Sequence, residues 1–208
     1  MLVEMAASQM DAEQVKDATF VFHYSSSTVT DQNSWVVSAK EYIAANYPGW
    51  TAVAEPYYSE QDAEKAITVG ESILSAYPEI DAILCPDSTA LPGQAQAAKN
   101  LGVAGKVIIT GFASPNSMRD FVKDGTVAQH GLWDCKVQGA MGAYMAYWLA
   151  TGNTFKVGDV VNIPGVGDVE IMPNTVLNPD AYTADDSGVI LMPERTVFDI
   201  NNTDNFDF

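Results

Sequence analysis

Thr28-Val29-Thr30-Asp31-Gln32-Asn33 is a polar turn between an apolar run, Ala18-Thr19-Phe20-Val21-Phe22-His23-Tyr24, and a helical repeat at Trp35, Val36, Ala39, Tyr42, Ile43 and Ala44. A strand that passes through a polar turn into an amphipathic helix is the repeating unit of an α/β fold. A second polar turn, Pro86-Asp87-Ser88-Thr89, takes the same place after Ile80-Asp81-Ala82-Ile83-Leu84-Cys85. In an open parallel sheet the ligand crevice lies beyond the carboxyl ends of the strands, so side chains from different strand-to-helix turns converge there. The two turns together describe one wall of a cleft. Each one alone also reads as an ordinary surface cap.

Working outward, the spacing predicts a helical opening over 2–16 before the first strand, and Pro48-Gly49 ends the helix after it. A short strand near 51–55 leads to a helix over 60–77, whose Ala63, Ile67, Gly70, Ile73 and Leu74 form an apolar stripe. Helices over 94–101 and 117–123 alternate with strands over 106–110 and 126–130. The segment 137–149 is alanine-rich and carries Met141, Tyr144, Met145, Tyr147 and Trp148, which reads as a broad packing face of a helix. Beyond Gly152, short β-branched runs punctuated by Gly158, Pro164-Gly165, Gly167, Pro173 and Asn174 predict a ribbon with tight turns. Late strands are expected over 188–193 and at Thr196-Val197-Phe198, followed by an Asn201-Asn202-Thr203-Asp204-Asn205 end that reads as a frayed tail or a hinge-side crossing segment.

The 208 residues are 47% hydrophobic, enough for a sizeable core in one domain or slightly more. A formal charge of −17 repels phosphate backbones and anionic head groups, so nucleic acid is not an expected partner. The acids are scattered, as in a solvated face. Cys85 and Cys135 are too few for a disulfide scaffold, and both adjoin hydrophobic segments where thiols are commonly buried. The first twenty residues already carry Glu4, Asp11, Glu13 and Asp17 with no basic leader, so they do not read as a signal peptide.

No phosphate-binding glycine loop, HExxH or CxxC occurs, and no catalytic group, cofactor or metal is expected. His23 and His130, the two imidazoles, lie in apolar strand contexts and read as satisfied structural residues. Asp31 and Asp87 are the one candidate carboxylate pair for acid–base chemistry. A neutral polyhydroxylated ligand uses these turns better. A carboxylate at Asp31 accepts hydroxyl hydrogens, while the Gln32 amide both donates and accepts. Trp133, at a strand exit, offers a ring face to carbon-bound hydrogens.

Several segments in order carry a family resemblance: Thr28 to Asn33, Ala82-Ile83-Leu84-Cys85-Pro86-Asp87, Gly131-Leu132-Trp133-Asp134, Ile163-Pro164-Gly165-Val166-Gly167 and Gly188-Val189-Ile190-Leu191-Met192-Pro193-Glu194-Arg195. Across nearly the whole chain the sequence resembles the autoinducer-2 (AI-2)-binding branch of periplasmic sugar-binding proteins, with rhamnose-binding relatives. The resemblance implies a three-layer α/β/α fold of the type I periplasmic-binding-protein kind. It also implies a periplasmic or extracellular clamshell that captures a small cyclic polyol without turnover and passes it to an ABC importer. Asp31 and Gln32 then hold ligand hydroxyls, Pro86 lines the same wall through its backbone, and Ser88 stands where the family pattern has alanine.

The same resemblance places 1–133 in the ligand-binding C-terminal lobe, 134–187 in a remnant of the N-terminal lobe with crossover segments, and 188–208 in a final strand and tail returning to the first. The opening units of the N-terminal lobe have no counterpart before Met1, so the chain is read as truncated, and the lysine and further aspartate of that lobe cannot be assigned. An uncovered helix then predicts self-association through Met141, Tyr144, Met145 and Trp148, the alternative being that residues 153–187 fold back over it. Two other readings stay open: a rhamnose- or pentose-binding protein, and a truncated non-catalytic protein-interaction module.

Overall fold

A computed structural model describes residues 1–176, 180–185, 187–192 and 195–208. They divide into two units, Met1–Leu132 with Val197–Phe208, and Trp133–Thr196. In the first unit the elements run α1 (Leu2–Ala7), α2 (Gln14–Asp17), β1 (Thr19–Tyr24), α3 (Thr30–Asn46), β2 (Thr51–Ala52), β3 (Tyr57–Tyr58) and α4 (Ala63–Ala76). They continue with β4 (Ala82–Cys85), α5 (Ala90–Asn100), β5 (Ile108–Gly111), α6 (Pro115–Lys123) and β6 (His130–Leu132). The second unit holds α7 (Cys135–Ala150), β7 (Val160–Ile163), β8 (Gly167–Glu170), β9 (Met172–Pro173) and β10 (Gly188–Val189), and β11 (Thr196–Phe198) begins at its end.

The parallel sheet has the order β2-β1-β4-β5, with β3 also beside β1. A parallel bridge from Phe112 to Gly131 extends it toward β6, and β11 pairs with β6. Alternation along β1 explains the layers. Phe20, Phe22 and Tyr24 pack with Leu2, Val3, Val36, Ala39 and Ile43 on one face. Those α3 positions, Val36, Ala39 and Ile43, recur at helical spacing and form the stripe that the sheet covers. Val21 points the other way, into a core with Ile73, Leu91, Ala95, Met118 and Val122 from α4, α5 and α6. The unit is therefore the three-layer α/β/α sandwich expected. Helices α4 and α5 approach closely because both carry glycine at the crossing: a Cβ on Gly93 would lie 2.4 Å from the Ala66 Cβ, and one on Gly70 would lie 2.8 Å from the Ala97 Cβ.

Several boundaries differ from the sequence reading, each for a local reason. The opening helix breaks after Ala7, and Asp11 Oδ1 then accepts from the Glu13 and Gln14 amides to start a separate turn of helix. Helix α5 begins at Ala90 rather than residue 94, because Pro92 falls in the first turn, where its missing N–H costs nothing. The segment 126–129 turns instead of pairing: Asp124 Oδ1 takes the Thr126 amide and hydroxyl, and the strand starts at His130. The two-residue β3 has no counterpart in the sequence reading.

The chain end is docked, not frayed. Asp204 pairs with Arg119 and Lys123 at 3.2 and 2.7 Å, the Phe206 carbonyl accepts from Arg119 Nη2 at 2.6 Å, and Phe198 meets Phe206 edge-on at 4.9 Å.

In the second unit β7 and β8 form an antiparallel hairpin, the ribbon expected from its turn residues. Its inward residues Val161, Ile163 and Val169, with Ile171, cover Met141, Tyr144 and Met145 of α7, and Met141 is left 5% exposed. Trp148 Nε1 donates to the Thr154 carbonyl at 3.1 Å. Met141 is thus covered within the chain, while Tyr144, Met145 and Trp148 are half-buried. β10 pairs with β9, so the return to the first unit comes at Val197 rather than residue 188. Of the strand expected over 188–193, Gly188–Val189 forms, and Pro193 and Glu194 lie outside the described residues. Cys85 is buried as expected, whereas Cys135 is exposed.

Candidate functional site

The strand order reverses direction between β1 and β4, with β2 and β3 on the far side of β1, and the loops after β1 and β4 therefore flank the switch point of the sheet. The loop after β1 is held by its own polar groups. Thr28 N–H donates to Ser26 Oγ at 3.2 Å, Asn33 Nδ2 donates to the Ser27 carbonyl at 2.6 Å, and the Tyr24 hydroxyl donates to Asn33 Oδ1 at 2.9 Å. Asn33 is thereby pinned between strand and loop, which sets the first turn of α3.

Asp31 and Gln32, adjacent in that turn, have opposite environments. Asp31 is exposed, and its backbone carbonyl accepts from the Ser34 hydroxyl. Gln32 is buried and spans the switch point: its Oε1 accepts from Ser25 N–H at 3.1 Å and from Ser25 Oγ at 2.5 Å, and its Nε2 donates to Asp87 Oδ2 at 2.7 Å. Asp87 Oδ1 accepts from the Thr89 and Ala90 amides at 3.1 and 2.6 Å, capping α5. Pro86 is buried at the end of β4, and Ser88 is exposed one residue beyond Asp87. Trp35 on α3 meets Phe112, the residue after β5, edge-on at 5.5 Å.

Four of the five expected site residues, Asp31, Gln32, Pro86 and Ser88, thus sit on the two loops of the first unit. Trp133 begins the second unit directly after β6; it is half-buried, and its Nε1 donates to Gln138 Oε1 at 2.7 Å. The carboxylate-pair alternative has no geometric support: Asp87 gives both oxygens to protein donors, and Gln32 is the side chain that meets it. What the residue-by-residue reading did not see is that Asp87 and Ser25 clamp Gln32. The visible signal was an aspartate just ahead of a helix, a common N-terminal cap.

Both histidines depart from the satisfied state expected of them. His23 Nδ1 meets Gln94 Oε1 at 2.9 Å, but among the described residues its Nε2 has no partner, and neither ring nitrogen of His130 meets one in hydrogen-bond geometry. Burial pushes both imidazoles down to about 4; Gln94 and the Asp87 charge oppose the shift at His23, and the Ala113 backbone, near the ring but outside that geometry, opposes it at His130. Among the described residues no group of three or more His, Cys, Asp or Glu side chains is placed to hold a metal ion. Among the same residues no helix is long and apolar enough to cross a membrane.

The first unit is a parallel α/β/α sandwich with polar switch-point loops, and residues 1–154 match the periplasmic binding protein domain. The chain belongs to that family. It is similar over its whole length, at 56% identity and a TM-score of 0.95, to LsrB from Clostridium saccharobutylicum, solved in complex with AI-2, and covers 66% of that chain. A sugar ABC transporter protein from Actinomyces odontolyticus is 26% identical with a TM-score of 0.77; all of this chain aligns with 62% of that one. The D-allose-binding periplasmic protein of Escherichia coli is 37% identical over 76 residues, which are 35% of this chain and 24% of the relative. The chain therefore spans less than two thirds of the length of these relatives.

Proposed function

We propose that this chain is the ligand-binding part of a solute-binding protein of an ABC importer, and that its ligand is AI-2 or a similar small cyclic polyol, bound without turnover. The observation that carries the reading is the 56% identity, over all 208 residues, to a protein solved with AI-2 bound. The rim supports it chemically: an exposed carboxylate at Asp31 beside the Gln32 amide offers an acceptor and a donor to neighbouring hydroxyls. In this reading Pro86 and Ser88 complete the wall on the β4 side, Trp133 supplies a ring face, and the location is periplasmic or extracellular. Residues 1–133 are the ligand-binding lobe, and 134–187 belong with the opposite lobe of the full receptor.

Calorimetric titration with AI-2, L-rhamnose and a pentose tests the proposal. AI-2 is expected to bind more tightly than either sugar, though more weakly than to a two-lobed receptor, since closure buries a ligand from both sides. A preference for rhamnose or the pentose would reassign the ligand. No heat with any of them would overturn the small-molecule reading.

A further inference from the structure

The Gln32 amide has one chemically permitted orientation, set jointly by Ser25 and Asp87. Ser25 N–H can only donate, so the amide atom facing it is oxygen, and Ser25 Oγ fills the second lone pair of that oxygen. Nε2 then faces the Asp87 carboxylate, which accepts one of its two hydrogens. Asp87 is itself immobilised, 4% exposed and holding the first amides of α5 through its other oxygen. A donor placed there would oppose Nε2, whereas the carboxylate agrees with the orientation that Ser25 sets and holds it. The second Nε2 hydrogen is what Gln32 has left to offer, so its contribution to the rim is a donor, beside the carboxylate of Asp31.

We propose that Asp87 is a positioning residue for ligand binding: it locks Gln32 with one N–H toward the rim, so that the site selects ligands presenting an oxygen lone pair next to a hydroxyl hydrogen. This rests on the reading of Asp31 and Gln32 as ligand-facing. It adds a residue that does not itself touch the ligand. It also makes the sequence pair Gln32 and Asp87, separated by 55 positions, a single functional unit.

The test compares the wild type, Asp87→Asn and the double variant Gln32→Glu/Asp87→Asn. In Asp87→Asn the new amide keeps its oxygen on the α5 N–H groups and turns a donor toward Nε2, so Gln32 either keeps Nε2 against that donor or flips and sets Nε2 against Ser25 N–H, and the bond that fixed it is lost in both cases. In the double variant carboxylate and amide exchange places. The new carboxylate at position 32 accepts from Ser25 and from the new amide at position 87, and every bond is restored with the rim donor replaced by an acceptor. Side-chain amide NMR is expected to show one exchange-protected Gln32 Nε2 hydrogen in the wild type and none in Asp87→Asn. Thermal melting is expected to show the double variant more stable than Asp87→Asn. AI-2 affinity is expected to fall about tenfold or more in Asp87→Asn and to stay low in the double variant despite its recovered stability.

Retention of the protected hydrogen with unchanged affinity in Asp87→Asn would overturn the proposal, as would a double variant no more stable than Asp87→Asn. A wild type that binds no AI-2 would refute the ligand reading, while NMR and melting would still decide whether Asp87 locks Gln32.

Discussion

Replacing His130 by phenylalanine should raise stability at neutral pH and flatten its dependence on acid. His130 is fully buried on β6 with its ring centroid 5.0 Å from that of Phe198, and among the described residues neither nitrogen has a hydrogen-bond partner. A phenyl ring keeps most of the packing and removes unsatisfied polar atoms, each costing about 1–3 kcal/mol when buried. The pH effect follows from the depressed pKa. Between pH 6.5 and about 4 the unfolded chain holds a proton on this imidazole that the folded chain refuses, so stability is intact above that window and falls as pH drops through it. A displacement from 6.5 to about 4 corresponds to about 3 kcal/mol lost by the acid end, and His23 has the same displacement and sign.

Asp11, Asp81 and Asp124 are also shifted downward, from 3.8, so their losses have the same sign but begin only at more acid pH. Urea denaturation followed by circular dichroism at several pH values from 7 to 4.5 should give a slope approaching about 2.7 kcal/mol per pH unit for the wild type, at its steepest, and about half that for His130→Phe. Identical slopes for the two proteins would refute the reasoning, because the imidazole would then be titrating alike in both states.

Three further outcomes are expected. Asp31→Asn, at an exposed position, should leave the melting temperature unchanged and weaken AI-2 binding by about 2–4 kcal/mol, measured by calorimetry; equal affinity would remove Asp31 from the site. Gly93→Ala should destabilise by about 1–3 kcal/mol in urea, because the new Cβ meets the Ala66 Cβ at 2.4 Å and the Ala66 backbone carbon at 2.9 Å, outweighing a helix-propensity gain of about 1 kcal/mol; a stabilised variant would show that α4 and α5 separate freely. Exposed Cys135 should react with a thiol reagent in the native protein while Cys85, buried and with its thiol pushed well above the ordinary range, should react only on unfolding; equal rates would contradict its burial.

The order of strands and helices in the first unit was legible in the sequence because it depends on near-neighbour physics. Phe20, Phe22 and Tyr24 alternate with Val21 and His23, and Val36, Ala39 and Ile43 recur at helical spacing, so each segment states its own buried face. The polar turns holding Asp31, Gln32, Pro86 and Ser88 were visible for the same reason, and the several ordered segments pointed to the family. What covers α7 was legible only as an alternative, a second copy or the later residues 153–187: its apolar residues announce a buried face, but hydrophobicity is not directional, and the hairpin that packs on Met141 is built from residues further along the chain. The docking of the last residues on α6 is equally non-local, since Asp204 and Arg119 lie far apart in sequence. Gln32 shows the division most plainly. Its position at a strand-to-helix turn follows from the sequence, whereas its orientation depends on Ser25 and Asp87, brought together only when β1 and β4 pair. Local periodicity specifies which residues leave water; the pairing of strands decides which polar groups meet once they have done so.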